Sequence, residues 1–336
     1  MNQEVLIKTS LTPNILMHIF SCLEIEGSFY DSDYGLKHHF TILKEEYEEW
    51  EVLAKKCMTL GCNAELYAIL FQIPSYIPAE DIDMILETYT KISDAVSEGS
   101  FELFLNSYPE VFDSLQVYAP LSIFEAHFKT LSEQKEIIVS LITLFKQILH
   151  GVWDRFYKNY WESEIQEKIM ERIESLNVIL SPFNLISIWQ KQLKLDYPYQ
   201  EFVTHIVEPT TTIATTLLAE NIMLSMKKED FELYKIIIHE IGRAFILNAR
   251  IFENETLKSI AQTNVDKLGQ IVDAICIHMK TKIYQMLKIK SKNDDPYKLP
   301  IVNEIMPIFI QIWEAMEDKN IYQAIIETYN KLSPVV

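Results

Sequence analysis

Apolar side chains recur at helical spacing over long stretches of this sequence, and little interrupts them. Only 7 glycines stand in 336 residues, so tight turns and glycine-built loops are scarce. From Asn14 to about Val117 the apolar positions keep a helical period, broken near Gly27, Gly61, Pro74 and Pro78. Further helices are predicted over 121–149, 152–180, 182–194, 229–247, 256–290 and 300–331, with Pro307 bending or interrupting the last. The same scarcity of glycine argues against a phosphate-cradling loop, and neither a phosphate loop nor a dinucleotide fingerprint occurs.

Strand signals are few. Residues 4–9 predict a short strand, after which Thr12-Pro13 opens a helix. Asp196-Tyr197-Pro198-Tyr199 breaks the helical texture, and Glu201–Glu208 is rich in β-branched residues until Pro209 ends it. Thr210–Leu218 and Ile222–Ser225 are two more β-leaning runs. Their spacing predicts a small antiparallel meander, so the expected fold class is mainly α with a small antiparallel sheet, α+β. The expected organisation is a helical part, 1–195, and a sheet-plus-helix part, 196–336, in one compact unit.

Charge narrows the partners. The formal net charge of −18 repels a nucleic-acid backbone. Lys280, Lys282, Lys288, Lys290 and Lys292 precede the polar turn Asn293-Asp294-Asp295-Pro296 and read as a solvated helix end. Glu45, Glu46, Glu48, Glu49 and Glu51 surround Tyr47, Trp50 and Leu53, the pattern of a solvated acidic face on an amphipathic helix. Cys22, Cys57, Cys62 and Cys276 are too few to staple such a chain and read as buried thiols in a reducing compartment. The start of the chain has no signal-peptide pattern, and no uncharged run approaches the ~20 residues that span a bilayer. A cytoplasmic protein with no nucleic-acid or membrane partner is the expectation.

One constellation carries chemistry. The predicted helix 229–247 contains His239-Glu240-Ile241-Gly242-Arg243. The zinc-peptidase signature is His-Glu-x-x-His on a helix, where a four-residue spacing sets both imidazoles on one face and the Glu serves as general base. Here Arg243 stands at the second ligand position. A generic, partly buried helix accounts for a lone His-Glu pair more often than a metal site does. The order of β-leaning runs, short polar turn and His-Glu helix adds context, because an edge strand beside a metal helix aligns a peptide by strand addition.

The chain resembles an uncharacterised bacterial family assigned to the zincin-type metallopeptidases. Thr12-Pro13-Asn14-Ile15-Leu16-Met17-His18-Ile19-Phe20 looks like its opening helix, and Tyr197-Pro198 with the following strands looks like its meander. His239-Glu240-Ile241-Gly242, with Phe245 and Asn248, looks like its metal helix. Gly269 to Ile277 resembles the later helix, on which that family carries a Glu followed four residues on by an Arg. The resemblance implies a zincin-like fold, with Glu240 as a vestigial general base.

The departures imply lost zinc chemistry. Arg243 replaces the second ligand and Gly269 falls where the third would stand, while catalytic zinc needs about three protein ligands. A guanidinium stays protonated and offers no lone pair. Asp273, at the family's Arg position, or Glu240 is expected to neutralise Arg243 by a salt bridge. No metal or other cofactor is expected. The competing reading keeps zinc through His239 with Asp273, His205 or His278, as an active metallopeptidase. A third reading is a helical interaction protein with an accidental motif. The leading expectation is a non-catalytic protein whose partner is a peptide or another protein.

Overall fold

The computed structural model describes residues 3–25, 31–61, 70–71, 73–77, 79–107, 121–210, 215–218, 220–248, 250–288, 297 and 299–332. Helices dominate. In chain order they are α1 Leu11–Leu23, α2 Ser32–His38, α3 Lys44–Thr59, α4 Ile82–Glu98, α5 Phe101–Asn106, α6 Leu121–Glu133 and α7 Lys135–Leu180. There follow α8 Leu185–Leu193, α9 Asp230–Ile246, α10 Arg250–Glu253, α11 Glu255–Thr263, α12 Val265–Met286, α13 Pro300–Ala315 and α14 Ile321–Leu332. The strands are β1 Glu4–Lys8, β2 Glu201–Val207, β3 Thr215–Leu218 and β4 Asn221–Ser225.

Local chemistry sets many of these boundaries. Asp31, Asp81, Asn184 and Asn264 each accept a backbone N–H in the first turn of the helix they precede. Gly99 ends α4 at φ +67°, the left-handed conformation that costs glycine nothing. Pro300 opens α13, and Pro307 sits inside that helix. The predicted helix 300–331 breaks instead at 316–320, and the predicted helix 256–290 breaks at Asn264, which caps α12. The runs 121–149 and 152–180 also differ from expectation. One helix, α7, continues from Lys135 to Leu180 through two π-helical segments, Trp153–Tyr157 and Trp161–Ile165. By length and composition, α7 is the one described helix long and apolar enough to cross a membrane, and half of its most apolar window is buried in protein.

The sheet corrects the expected antiparallel meander. Its order is β1-β2-β4-β3, with three parallel strands and only β3 antiparallel to β4. Side-chain bonds follow the same sense: Gln3 donates to the carbonyls of Tyr197 and Tyr199, and Thr9 to that of Ile206. The physical reason lies in the connections. β1 and β2 are joined through a helical body long enough for a parallel crossover, and β4 takes the place beside β2 that a meander gives to β3.

Contacts divide the chain into two compact units, in place of sequential parts 1–195 and 196–336. The first gathers Met1–Leu6, Leu176–Thr204 and Glu229–Val336; the second gathers Ile7–Ser175 and His205–Lys228. The core of the first is built on α8, α9, α12, α13 and α14, with Trp189, Phe245 and Phe309 fully buried. In the second, Phe20, Trp50, Phe71, Tyr89 and Phe145 form one aromatic cluster with ring centroids 4.8–6.3 Å apart.

Candidate functional site

In the first unit α9 carries His239, Glu240 and Arg243, and α12 carries Gly269, Asp273, Cys276 and Lys280. On α12 the spacings 273, 276 and 280 select one face, while residue 278 points about 140° away. Gly242 lets the helices close: a Cβ there would stand 2.6 Å from two ring carbons of Trp189 on α8. The Trp189 indole also donates to the carbonyl of Ile238 at 2.9 Å. Gly269 has no such role, since an added Cβ would meet nothing within 4 Å.

His239 is wholly buried and held at both ring nitrogens. Its Nε2 lies 3.1 Å from Asp273 Oδ1, and its Nδ1 lies 3.1 Å from Lys280 Nζ. Burial, reinforced by the Lys280 ammonium, brings its pKa down to about 3, so the ring is neutral near pH 7. An ammonium only donates, so Nδ1 accepts from Lys280 and Nε2–H donates to Asp273. Arg243 Nη1 bonds Asp273 Oδ1, and its Nε stands 3.4 Å from Glu240 Oε2. Burial pushes the Asp273 carboxyl up, but the bonds from His239 and Arg243 outweigh it and hold the acid below its ordinary value. Burial likewise opposes the Arg243 charge, and Glu240 and Asp273 more than restore it.

Tyr297 closes the cluster. Its ring lies parallel to that of His239 at 3.6 Å, and its hydroxyl donates to Glu240 Oε1. The ammonium of Lys280 sits 5.1 Å from the centre of the same ring. Two cations, Arg243 and Lys280, thus meet two carboxylates, Asp273 and Glu240, around a neutral imidazole.

This donor set does not fit zinc. Each nitrogen of His239 is engaged by protein, and Asp273 already serves a guanidinium and an imidazole. The other suggested ligands lie in different surroundings. His278 packs on Phe309 at 6.0 Å, and His205, in the second unit, stands edge-on to Tyr76 at 6.2 Å. Among the described residues no group of three or more His, Cys, Asp or Glu side chains is placed to hold a metal ion.

Sequence reasoning missed Lys280 and Tyr297. Lys280 is 1% exposed, and not part of a solvated helix end; Lys282 and Lys288 are exposed, while Lys290, Lys292 and the turn 293–296 lie outside the described residues. The signal was its spacing of seven from Asp273, two turns along one face. Cys22, Cys57 and Cys276 are buried, and Cys62 lies outside the described residues.

The second unit holds another buried polar cluster that motif reasoning passed over. His18 Nδ1 lies 2.8 Å from the Tyr34 hydroxyl and its Nε2 3.1 Å from that of Thr41. Tyr160 donates to Glu208 Oε1 at 3.1 Å, with the Tyr34 hydroxyl beside the same carboxylate. Glu208 follows β2 directly, and its own N–H donates to Asn14 of α1. The first π-helical segment of α7 brings Tyr157 to 4.8 Å from the His18 ring. Gly35 permits α2 to touch α1, since a Cβ there would stand 2.0 Å from the Ser21 carbonyl oxygen. Three buried polar atoms of this cluster, Glu208 Oε2, Tyr157 Oη and His38 Nδ1, have no hydrogen-bond partner among the described residues. Burial raises Glu208 above its ordinary value despite the two tyrosines, and lowers His38 to about 4.

No family model, curated protein or solved structure matches this chain. The expected zincin-like fold therefore has no structural match behind it, and the parallel strands contradict its antiparallel sheet.

Proposed function

We propose that this is a non-catalytic protein that works by binding a peptide or another protein, and that its metallopeptidase-like His-Glu helix serves as a charge-paired structural core. The carrying observation is the engagement of both ring nitrogens of His239, by Asp273 and by Lys280. A metal ligand needs a free lone pair, and a general base needs an unpaired carboxylate beside a water. Glu240 instead faces Arg243 and Tyr297. The net charge of −18 favours a basic partner.

Strand addition at β4, the strand preceding α9, is disfavoured. In the order β1-β2-β4-β3 it is flanked on both sides, so any such pairing falls to an edge strand. The direct test is metal analysis of protein purified without chelator, beside a chelator-sensitive cleavage assay on a generic protein substrate. Substoichiometric metal and no chelator-sensitive cleavage are expected. Stoichiometric zinc, or cleavage abolished by Glu240→Gln, would overturn the reading.

A further inference from the structure

The end of α1 and the outer side of α3 enclose a groove of 560 Å³ in the second unit. Its floor includes Leu23, Ile25 and the 3% exposed Trp50. Val52 and Met58 stand at its margin, 68% and 45% exposed, although an amphipathic helix of this composition ordinarily turns such side chains inward. Among the described residues the remaining margin carries Glu24, Glu48, Glu51 and one cation, Lys55. Glu48 is answered by Lys44 at 3.4 Å, whereas neither Glu24 nor Glu51 has an ion pair among the described residues. Both carboxylates act on the Tyr47 hydroxyl and, after burial, raise its pKa, Glu51 more than Glu24.

Apolar surface beside uncompensated negative charge selects one kind of occupant. A wholly apolar ligand leaves the carboxylates unanswered, and an acidic one is repelled. We propose that this groove docks an amphipathic helix of a partner protein, one that sets lysine or arginine beside an apolar anchor. The anchor would cover Val52 and Met58, and the cation would lie between Glu24 and Glu51. Such a helix-in-groove contact reads positions one turn apart, the pitch at which Glu48, Val52 and Lys55 follow one another on α3. The choice of a protein as occupant rests on the non-catalytic binding reading; the groove itself is independent of the His239 cluster.

The test is fluorescence anisotropy on the full chain, with a labelled synthetic peptide of leucine and lysine at helical spacing as the probe. Glu51→Lys and Val52→Lys, both at exposed positions, are each expected to weaken binding about tenfold. Glu174→Lys makes the same charge change on the exposed face of α7 and is expected to leave binding nearly unchanged. Three outcomes overturn the proposal. Equal loss with Glu174→Lys means bulk charge alone. Equal affinity for a permuted peptide of the same composition removes the helical anchor. Self-association abolished by Val52→Lys makes a second copy the occupant. Metal content and hydrolysis, measured on the same preparations, report separately on the His239 reading.

Discussion

Each compact unit contains a buried cluster with a histidine at its centre, and the two are balanced in different ways. Around His239, two cations face two carboxylates and each ring nitrogen has a partner. Around His18 the partners are mostly hydroxyls, and Glu208 is a carboxylate bonded by tyrosine. There the nearby cation Lys227 is taken by Asp31. The first arrangement suits a fixed core, because ionised groups hold one another in place once all are present. The second leaves polar atoms unanswered, which makes it the softer of the two. Catalytic-looking residues in the first are thus the better tied down.

The largest effect expected of this difference comes from removing one carboxylate from each cluster. Asp273→Ala leaves the half-buried Arg243 with Glu240 alone and takes the acceptor from the buried His239 Nε2–H. A loss of about 3 kcal/mol is expected, the low end of the cost of breaking a buried ion pair from one side. Glu208→Ala removes a carboxylate that no cation contacts among the described residues, so about 1–2 kcal/mol is expected. Urea denaturation of both variants measures the contrast. Equal losses would break the distinction between a charge-paired and a hydroxyl-bonded cluster.

Each cluster also depends on a glycine, and the two glycines face different obstacles. At Gly35 an added Cβ meets the Ser21 backbone carbonyl at 2.0 Å, which can move only with α1 itself. At Gly242 it meets the indole of Trp189 at 2.6 Å. Overpacking costs typically about 1–3 kcal/mol, and alanine returns up to about 1 kcal/mol of helix propensity at each site. Gly35→Ala is therefore expected to cost about 3 kcal/mol and Gly242→Ala about 1–2 kcal/mol by the same denaturation measurement. Gly269→Ala, with open space around it, is expected to stabilise slightly.

These glycines show what the sequence exposed and what it concealed. Gly242 was visible as part of a motif, yet its structural partner Trp189 lies in a separate helix and no spacing announces it. An acid partner for Arg243, Asp273 or Glu240, could be expected in advance because an uncompensated cation on a core-facing helix requires one, and only the resemblance pointed to Asp273. Lys280 was concealed by company: four neighbouring lysines made it look like a solvated end, although its spacing from Asp273 puts it on the buried face. The helical texture was legible because a 3.6-residue period repeats over many turns. The sense of the strands was not. β2 and β4 are buried along nearly their whole length, the pattern of parallel strands, but runs so short and broken by Thr204 and His205 do not separate it from alternation. The π-helical segments that deliver Tyr157 left no signal either, because one extra residue in a turn changes the phase without breaking the pattern.

Acid separates the clusters by sign. His239 has a depressed pKa, about 3, so its contribution is present above the ordinary histidine value and lost as pH falls toward 3. Asp273 is also depressed, and its contribution is lost below the ordinary carboxylate range. Glu208 is raised, so its contribution is present below the ordinary glutamate value and lost as pH rises through the folded one. Denaturation curves of Glu208→Gln are expected to exceed wild type near pH 7 and converge with it by about pH 4. Asp273→Asn should do the reverse, costing most near pH 7 and progressively less in acid. Parallel pH profiles for the two variants would remove the claim that one carboxylate is charge-paired and the other is not.

The smallest effect isolates the unanswered atoms themselves. Tyr160 and Tyr157 lie three residues apart on α7, and both rings are packed against the His18 cluster or its neighbours. The Tyr160 hydroxyl bonds Glu208, whereas that of Tyr157 is buried without a partner among the described residues. Tyr160→Phe is expected to cost about 1 kcal/mol, the ordinary net value of one hydrogen bond. It should also raise the Glu208 pKa further, since a donor to the ionised form is removed. Tyr157→Phe deletes a group whose desolvation nothing offsets, so stability is expected to hold or rise slightly. A loss of about 1 kcal/mol from Tyr157→Phe would mean that this hydroxyl is satisfied by a buried water. One of the three unanswered atoms would then be bonded, and the contrast between the clusters would rest on Glu208 Oε2, His38 Nδ1 and the presence of paired charge.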